Sequence, residues 1–133
     1  MAIFAAMAVP RYANALGHYR AECAARRIAA DLALARAKAK AASSTQGVTF
    51  NAAAGTYTLS SLRDLDHPAA PYTVNLTAEP YHVEIAYADF GGAPQAQFDM
   101  YGNPLFGGKV TVRTGDYERT VEVVKLDGSI TVQ

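Results

Sequence analysis

The side chains able to do chemistry are few and scattered. The histidines are His18, His67 and His82, and the only cysteine is Cys23. Zinc sites use His and Cys at short, fixed spacings, such as two histidines one helical turn apart, and no pair in this chain is so placed. Cys23 cannot close an internal disulfide and reads as a small apolar side chain on a helix. His82 falls at an outward position of an alternating stretch and His67 precedes a proline in a polar loop, so both read as solvated. Asp64 and Asp66, with Asp89 from another loop, offer oxygen atoms to calcium. The segment lacks the carboxylate density of a calcium loop and reads as an ordinary solvated one. Gly91-Gly92 and Gly107-Gly108 are not followed by Lys-Ser/Thr and a helix, so they read as turns with positive φ, not as a phosphate cradle. With no nucleophile motif and no acid–base constellation, the expectation is a non-enzymatic protein without catalytic residue, metal or cofactor.

The remaining polar feature is a run of cations, Arg26, Arg27, Arg36, Lys38 and Lys40. It is able to meet phosphates or headgroups, but it has no interleaved aromatics and reads first as a solvated helix face and second as a contact for an acidic subunit surface. The chain of 133 residues has a formal net charge of +0, which disfavours strong non-specific nucleic-acid binding. That neutrality is a cancellation. Residues 1–42 hold seven basic and two acidic side chains, and residues 43–133 hold five and ten. The first part is also alanine-rich and free of Ser and Thr, whereas Thr, Val, Tyr, Gly and Pro gather in the second.

These differences predict the elements. Met1–Val9 is wholly apolar and runs into Pro10; nine residues fall short of the roughly 20 that span a bilayer. The abrupt apolar start favours the downstream end of a longer hydrophobic helix. Residues 11–42 predict one long helix with Gly17 as its sole glycine. Tyr12, Leu16, Tyr19 and Cys23 form one apolar row, and Ile28, Leu32, Ala35, Ala39 and Ala42 form a second that should rest on a sheet. The run Ser43-Ser44-Thr45-Gln46-Gly47 ends the helix.

From Val48 the period becomes two. Val48–Phe50 and Tyr57–Leu59 predict a hairpin with Gly55 in its turn. Tyr72–Leu76 alternates, as does Tyr81–Tyr87 with its odd-numbered residues inward. Gln97–Met100, Lys109–Arg113, Glu118–Lys125 and Ser129–Val132 follow, with Ser60–Pro71 and Ala88–Ala96 as the longer loops. A helix followed only by short strands predicts an α+β fold, a long N-terminal helix packed on one or two antiparallel sheets. The helix (1–42) and the β part (43–133) are expected to form one domain.

The order of these segments resembles the type IV pilin-like proteins, in particular the minor pseudopilin group of the type II secretion H subunit and the FimT pilins. Ile3–Tyr12 looks like the downstream half of the family's hydrophobic segment, and Arg26–Ala39 is similar to its helix. Phe98-Asp99-Met-Tyr-Gly102-Asn-Pro104-Leu-Phe-Gly107-Gly108 resembles its phenylalanine-led glycine turn, and Leu126-Asp127-Gly128-Ser129-Ile130 its closing hairpin. The prepilin cleavage signal and the first half of the hydrophobic helix are not seen, so the resemblance implies a truncated, soluble part of a longer protein. The absence of a cysteine-pair loop fits a minor pseudopilin, not a shaft subunit.

The resemblance implies a structural subunit of a type II secretion pseudopilus or type IV pilus-like filament. Its helix would assemble with other pilin subunits and anchor it in the bacterial inner membrane, with a periplasmic head. Ile28, Leu32, Ala35 and Ala39 would cover the sheet, and the two longer loops would face partners. The alternatives are a DNA-contacting minor pilin of an uptake pilus, disfavoured by the acidic β part, and a small α+β ligand-binding module.

Overall fold

The computed structural model describes the backbone of residues 2–63, 71–78 and 81–133, and the side chains of residues 16–59, 72–78 and 81–133. Helix α1, Ala2–Ala42, runs for 41 residues and includes Pro10. At 1.5 Å per residue it is about 60 Å long. It stops at Ser43, which takes a left-handed φ of 50°, while the Ser44 N–H donates to the Ala39 carbonyl at 3.1 Å. Gln46 and Gly47 already belong to the next strand rather than to the terminating turn.

The inward stripe of α1 is Ala21, Ala24, Ala25, Ile28, Leu32, Ala35 and Ala39, all at most 2% exposed. The upper row expected from the sequence is different. Tyr19 is 67% exposed, Cys23 is half-buried, and the Tyr12 side chain lies outside the described residues. Helical geometry explains the change: Tyr19 precedes Ile28 by nine residues, half a revolution at 3.6 residues per turn. The stripe that continues Ile28 upward is therefore alanine, which lets the strands approach closely. Ala42, expected at the lower end of the second row, is exposed.

Among the described residues eight strands follow: β1 (Gln46–Asn51), β2 (Thr56–Arg63), β3 (Pro71–Asn75), β4 (Glu84–Phe90), β5 (Gln95–Phe98), β6 (Gly108–Thr114), β7 (Tyr117–Val123) and β8 (Ile130–Val132). They form two four-stranded sheets, β3-β2-β1-β5 and β4-β6-β7-β8, in which every pairing is antiparallel. The β1–β2 hairpin places Val48 opposite Leu59 and Phe50 opposite Tyr57, with Gly55 at φ 68° in its turn.

The alternation expected over Tyr81–Tyr87 is broken by a register shift between Ile85 and Tyr87. A bulge inserts one residue and flips the faces beyond it. Ile85 and Phe90 are buried while Tyr87 is 43% exposed. His82 stands before the strand, at φ 49°. Both long loops are also shorter than expected. Ser60 to Arg63 continue β2, and the stretch bearing Asp64, Asp66 and His67 lies outside the described residues. Of Ala88–Ala96 only residues 91–94 lie between β4 and β5, and they carry the chain from one sheet to the other.

Helix α1 packs against β1 and β5 of the first sheet and against β6, β7 and β8 of the second. The core lies between the three elements. Phe50 of β1 stacks on Phe90 of β4 with centroids 5.8 Å apart, joining the sheets. Burial of Ile28 and Leu32 contributes about 1.5–3 kcal/mol each.

Candidate assembly surfaces

Two helical arginines flank the buried stripe and tie it down differently. Arg27 donates from Nε to Asp31 Oδ2 at 3.0 Å, one turn along the same helix. It also donates to the hydroxyl oxygens of Tyr72 and, at 3.3 Å, of Tyr81. Asp31 is 5% exposed and accepts the Tyr57 hydroxyl at 2.5 Å and that of Tyr72 at 3.4 Å. Burial alone would lower the guanidinium pKa, but the hydrogen bonds from Arg27 to Asp31, Tyr72 and Tyr81 outweigh it and raise the value. Burial, reinforced by the bond to Asp31, pushes the Tyr57 phenol up, so Tyr57 stays neutral. This is a half-buried ion pair, with Asp31 inside and Arg27 reaching the surface. Phenols meet the remaining lone pairs of the carboxylate, the condition under which a buried charge persists inside proteins. Here it joins α1 to β2 and β3.

Arg36 faces the opposite way and grips backbone. Its Nε donates to the Gly102 carbonyl at 2.8 Å and its Nη1 to the Gly128 carbonyl at 3.0 Å. A longer bond of 3.4 Å runs from Nη2 to the Asp127 carbonyl. One guanidinium thus holds the phenylalanine-led turn and the closing hairpin against the helix. The turn is also held from within. Asp99 Oδ1 accepts the N–H groups of Tyr101 and Asn103, each at 2.9 Å. Phe98, which is fully buried, bridges to Pro104, which is itself buried. Gly102 has φ 81°, and a Cβ there would come within 2.6 Å of Lys40 Cδ, so only glycine fits without strain. Gly107 and Gly108 are not among the positive-φ glycines, contrary to the expectation for that pair, whereas Gly91 and Gly92 are. Gly108 opens β6 so close to β4 that a Cβ would lie 2.1 Å from the Asp89 carbonyl.

The helical cations therefore divide into those bound within the chain and those left on the surface. Arg27 and Arg36 are held inside the chain, and Arg26 pairs with Glu22 at 2.9 Å. Glu22 also meets Arg119 of β7 at 2.9 Å. The bonds from Arg119, then Arg26, hold its carboxyl below the usual range. Lys38 and Lys40 remain exposed. Higher on the helix, His18 lies against Tyr117 with ring centroids 3.6 Å apart. Gly17 makes room there, since its Cβ would stand 2.9 Å from Tyr117 Cδ2. Asp89 Oδ1 accepts the Gly92 N–H at 2.7 Å, serving a turn. Among the described residues no group of three or more His, Cys, Asp or Glu converges to hold a metal, and no helix is long and apolar enough to cross a membrane.

The outward surface instead displays large apolar side chains on the two loops that Arg36 holds. Tyr101 is 70% and Phe106 51% exposed, with Met100 and Leu105 beside them, and Leu126 in the closing hairpin is 98% exposed. Sequence reasoning identified both turns from resemblance but missed Arg36 as their common anchor and Asp31 as a buried charge. The Arg27–Asp31 spacing of four was a signal that could have found the second.

A long N-terminal helix laid across two antiparallel sheets is the architecture of a pilin-like subunit. The family described as type II transport protein GspH matches residues 24–127, so the chain belongs to the GspH family and is a pilin-like minor pseudopilin. The crystal structure of the Pseudomonas aeruginosa (strain PAO1) type IV minor pilin FimU is similar in fold. The TM-score is 0.61 at 13% sequence identity, covering 85% of this chain and 87% of that one. No curated protein sequence matches the chain.

Proposed function

We propose that this protein is a structural, non-enzymatic subunit of a type II secretion pseudopilus or a related filament, and that it assembles with other pilin-like subunits through its N-terminal helix. The observation that carries the reading is the course of α1. The helix runs unbroken from Ala2 to Ala42, and among the described residues its buried stripe against the sheets starts at Ala21, with His18 one turn above still against Tyr117. Helix and β part act as one unit, the lower helix as core and the upper helix as stalk. The apolar run Ile3–Val9 is assigned to the inner membrane before assembly and to the filament interior after it, with the β part in the periplasm. Close packing of its small side chains against neighbouring helices supplies the association.

Engagement of Arg26, Arg27 and Arg36 within the chain supports subunit packing over DNA contact, and the acidic β part works in the same direction. The test is the mass and N-terminal residue of the protein isolated from native membranes, together with its fractionation with sheared filaments. An N-methylated phenylalanine upstream of residue 1, and co-fractionation, are expected. A free product beginning at Met1 that never sediments with filaments overturns the reading.

A further inference from the structure

Below the stripe, α1 and the edge strand β8 leave a groove of about 410 Å³ lined by Ala33, Ala37, Ile130, Arg36 and Lys40. The loop tip carrying Tyr101 abuts it, because Gly102 sits on the Lys40 side chain and bonds Arg36. We propose that this groove docks a carboxylate-bearing, partly apolar segment of a neighbouring subunit; the proposal rests on the filament reading for the identity of the partner.

Charge selects this occupant. Arg36 and Lys40 line the groove, and among the described residues neither forms an ion pair. The carboxylates on the adjoining loops are turned to their own backbone: Asp99 to Tyr101 and Asn103, Asp127 to Ser129 at 2.9 Å. The bonds from Ser129, and in smaller part the nearby charge of Arg36, hold the Asp127 carboxyl below its usual range. The groove is thus cationic in a molecule whose β part carries twice as many acidic as basic side chains. Complementary potentials of this kind set partner choice and register.

The floor distinguishes a peptide from a phosphate. Ala33, Ala37 and Ile130 are apolar, and the Arg36 fork already gives three of its five N–H donors to carbonyls, which leaves less of it for a phosphate. It contributes charge, Lys40 contributes a mobile ammonium, and Tyr101, 70% exposed at the rim, covers apolar side chains of the partner.

The experiment is a titration of the ¹⁵N-labelled chain with the capped peptide Leu-Asp-Phe-Glu-Leu-Asp. Its amide counterpart (Asn and Gln for Asp and Glu) and inorganic phosphate serve as comparisons. The acidic peptide is expected to shift the amides of Ala33, Ala37, Tyr101 and Ile130 saturably. The amide peptide should bind about tenfold more weakly, and Lys40→Glu should weaken the acidic peptide about tenfold while Lys109→Glu leaves it unchanged. Equal binding of both peptides, equal binding by Lys40→Glu, phosphate as effective as the peptide, or no shift at millimolar peptide each overturns the proposal. Peptide binding by a protein that never enters filaments overturns the filament reading and leaves the groove's carboxylate preference standing. Filament entry without peptide binding overturns the groove alone.

Discussion

Arg27 and Arg36 stand nine residues apart on one helix, half a revolution from each other, and they secure opposite flanks of the same buried stripe. Arg27 is matched by a charge: Asp31 is buried, and the tyrosines of β2 and β3 complete its hydrogen bonds. Arg36 is matched by neutral carbonyls from two loops, Gly102 and Gly128. The first arrangement sets the helix against a sheet and punishes any change, because a lone charge would remain inside. The second orders surface loops and leaves a positive charge without an ion pair, among the described residues, beside the groove. One arginine thus serves the fold, while the other shapes a surface.

The most severe test lies between them. Leu32→Asp places a carboxylate in the apolar layer that both arginines flank, and should remove about 5 kcal/mol or more, seen as loss of the cooperative thermal transition. Asp31→Ala should cost about 3 kcal/mol in denaturant unfolding, toward the low end for a broken buried pair because the Arg27 side chain keeps 38% of its exposure. An Arg36→Ala variant should lose less, about 2 kcal/mol, with faster amide exchange confined to residues 99–107 and 124–129. If exchange instead accelerates across β2 and β3, the separation of the two roles is wrong.

At the end of the helix, Ser43→Gly relieves a left-handed serine and should stabilise by about 1 kcal/mol, raising Tm. The smallest effect concerns Glu22, whose folded carboxyl titrates below its ordinary value near 4.5. Its contribution is present above the unfolded value and disappears as pH falls through the lower folded one. Melting curves should therefore show the Glu22→Gln variant and the parent converging in strong acid and parting above about pH 5.

Much of the β part was legible because turn residues and alternation act over a few positions. The β1–β2 hairpin and the pairs β6–β7 and β7–β8 fall where Gly55, Gly115 and Gly128 place their turns. Where the reading failed, a distant neighbour had decided. The bulge near Ala86 follows from the pairing of β4 with β6, so alternation read from Tyr81 predicted the wrong side for Tyr87. The upper helix was misjudged because the larger side chains, Tyr19 and Cys23, were favoured over alanines; the close sheet approach selected Ala21, Ala24 and Ala25 instead.

What the sequence determined by itself was the division into a small-residue helix and a turn-punctuated β part, along with the lower stripe from Ile28 to Ala39. These follow from periodicity and backbone preference, which are local. The tertiary structure alone decided the fate of the cations. Arg27 enters a half-buried network with tyrosines 45 and 54 residues away, and Arg36 reaches carbonyls 66 and 92 residues away. A hydrogen bond to a backbone carbonyl leaves no trace in residue type, so only the folded path of the chain shows which arginine holds it together and which shapes its outer face.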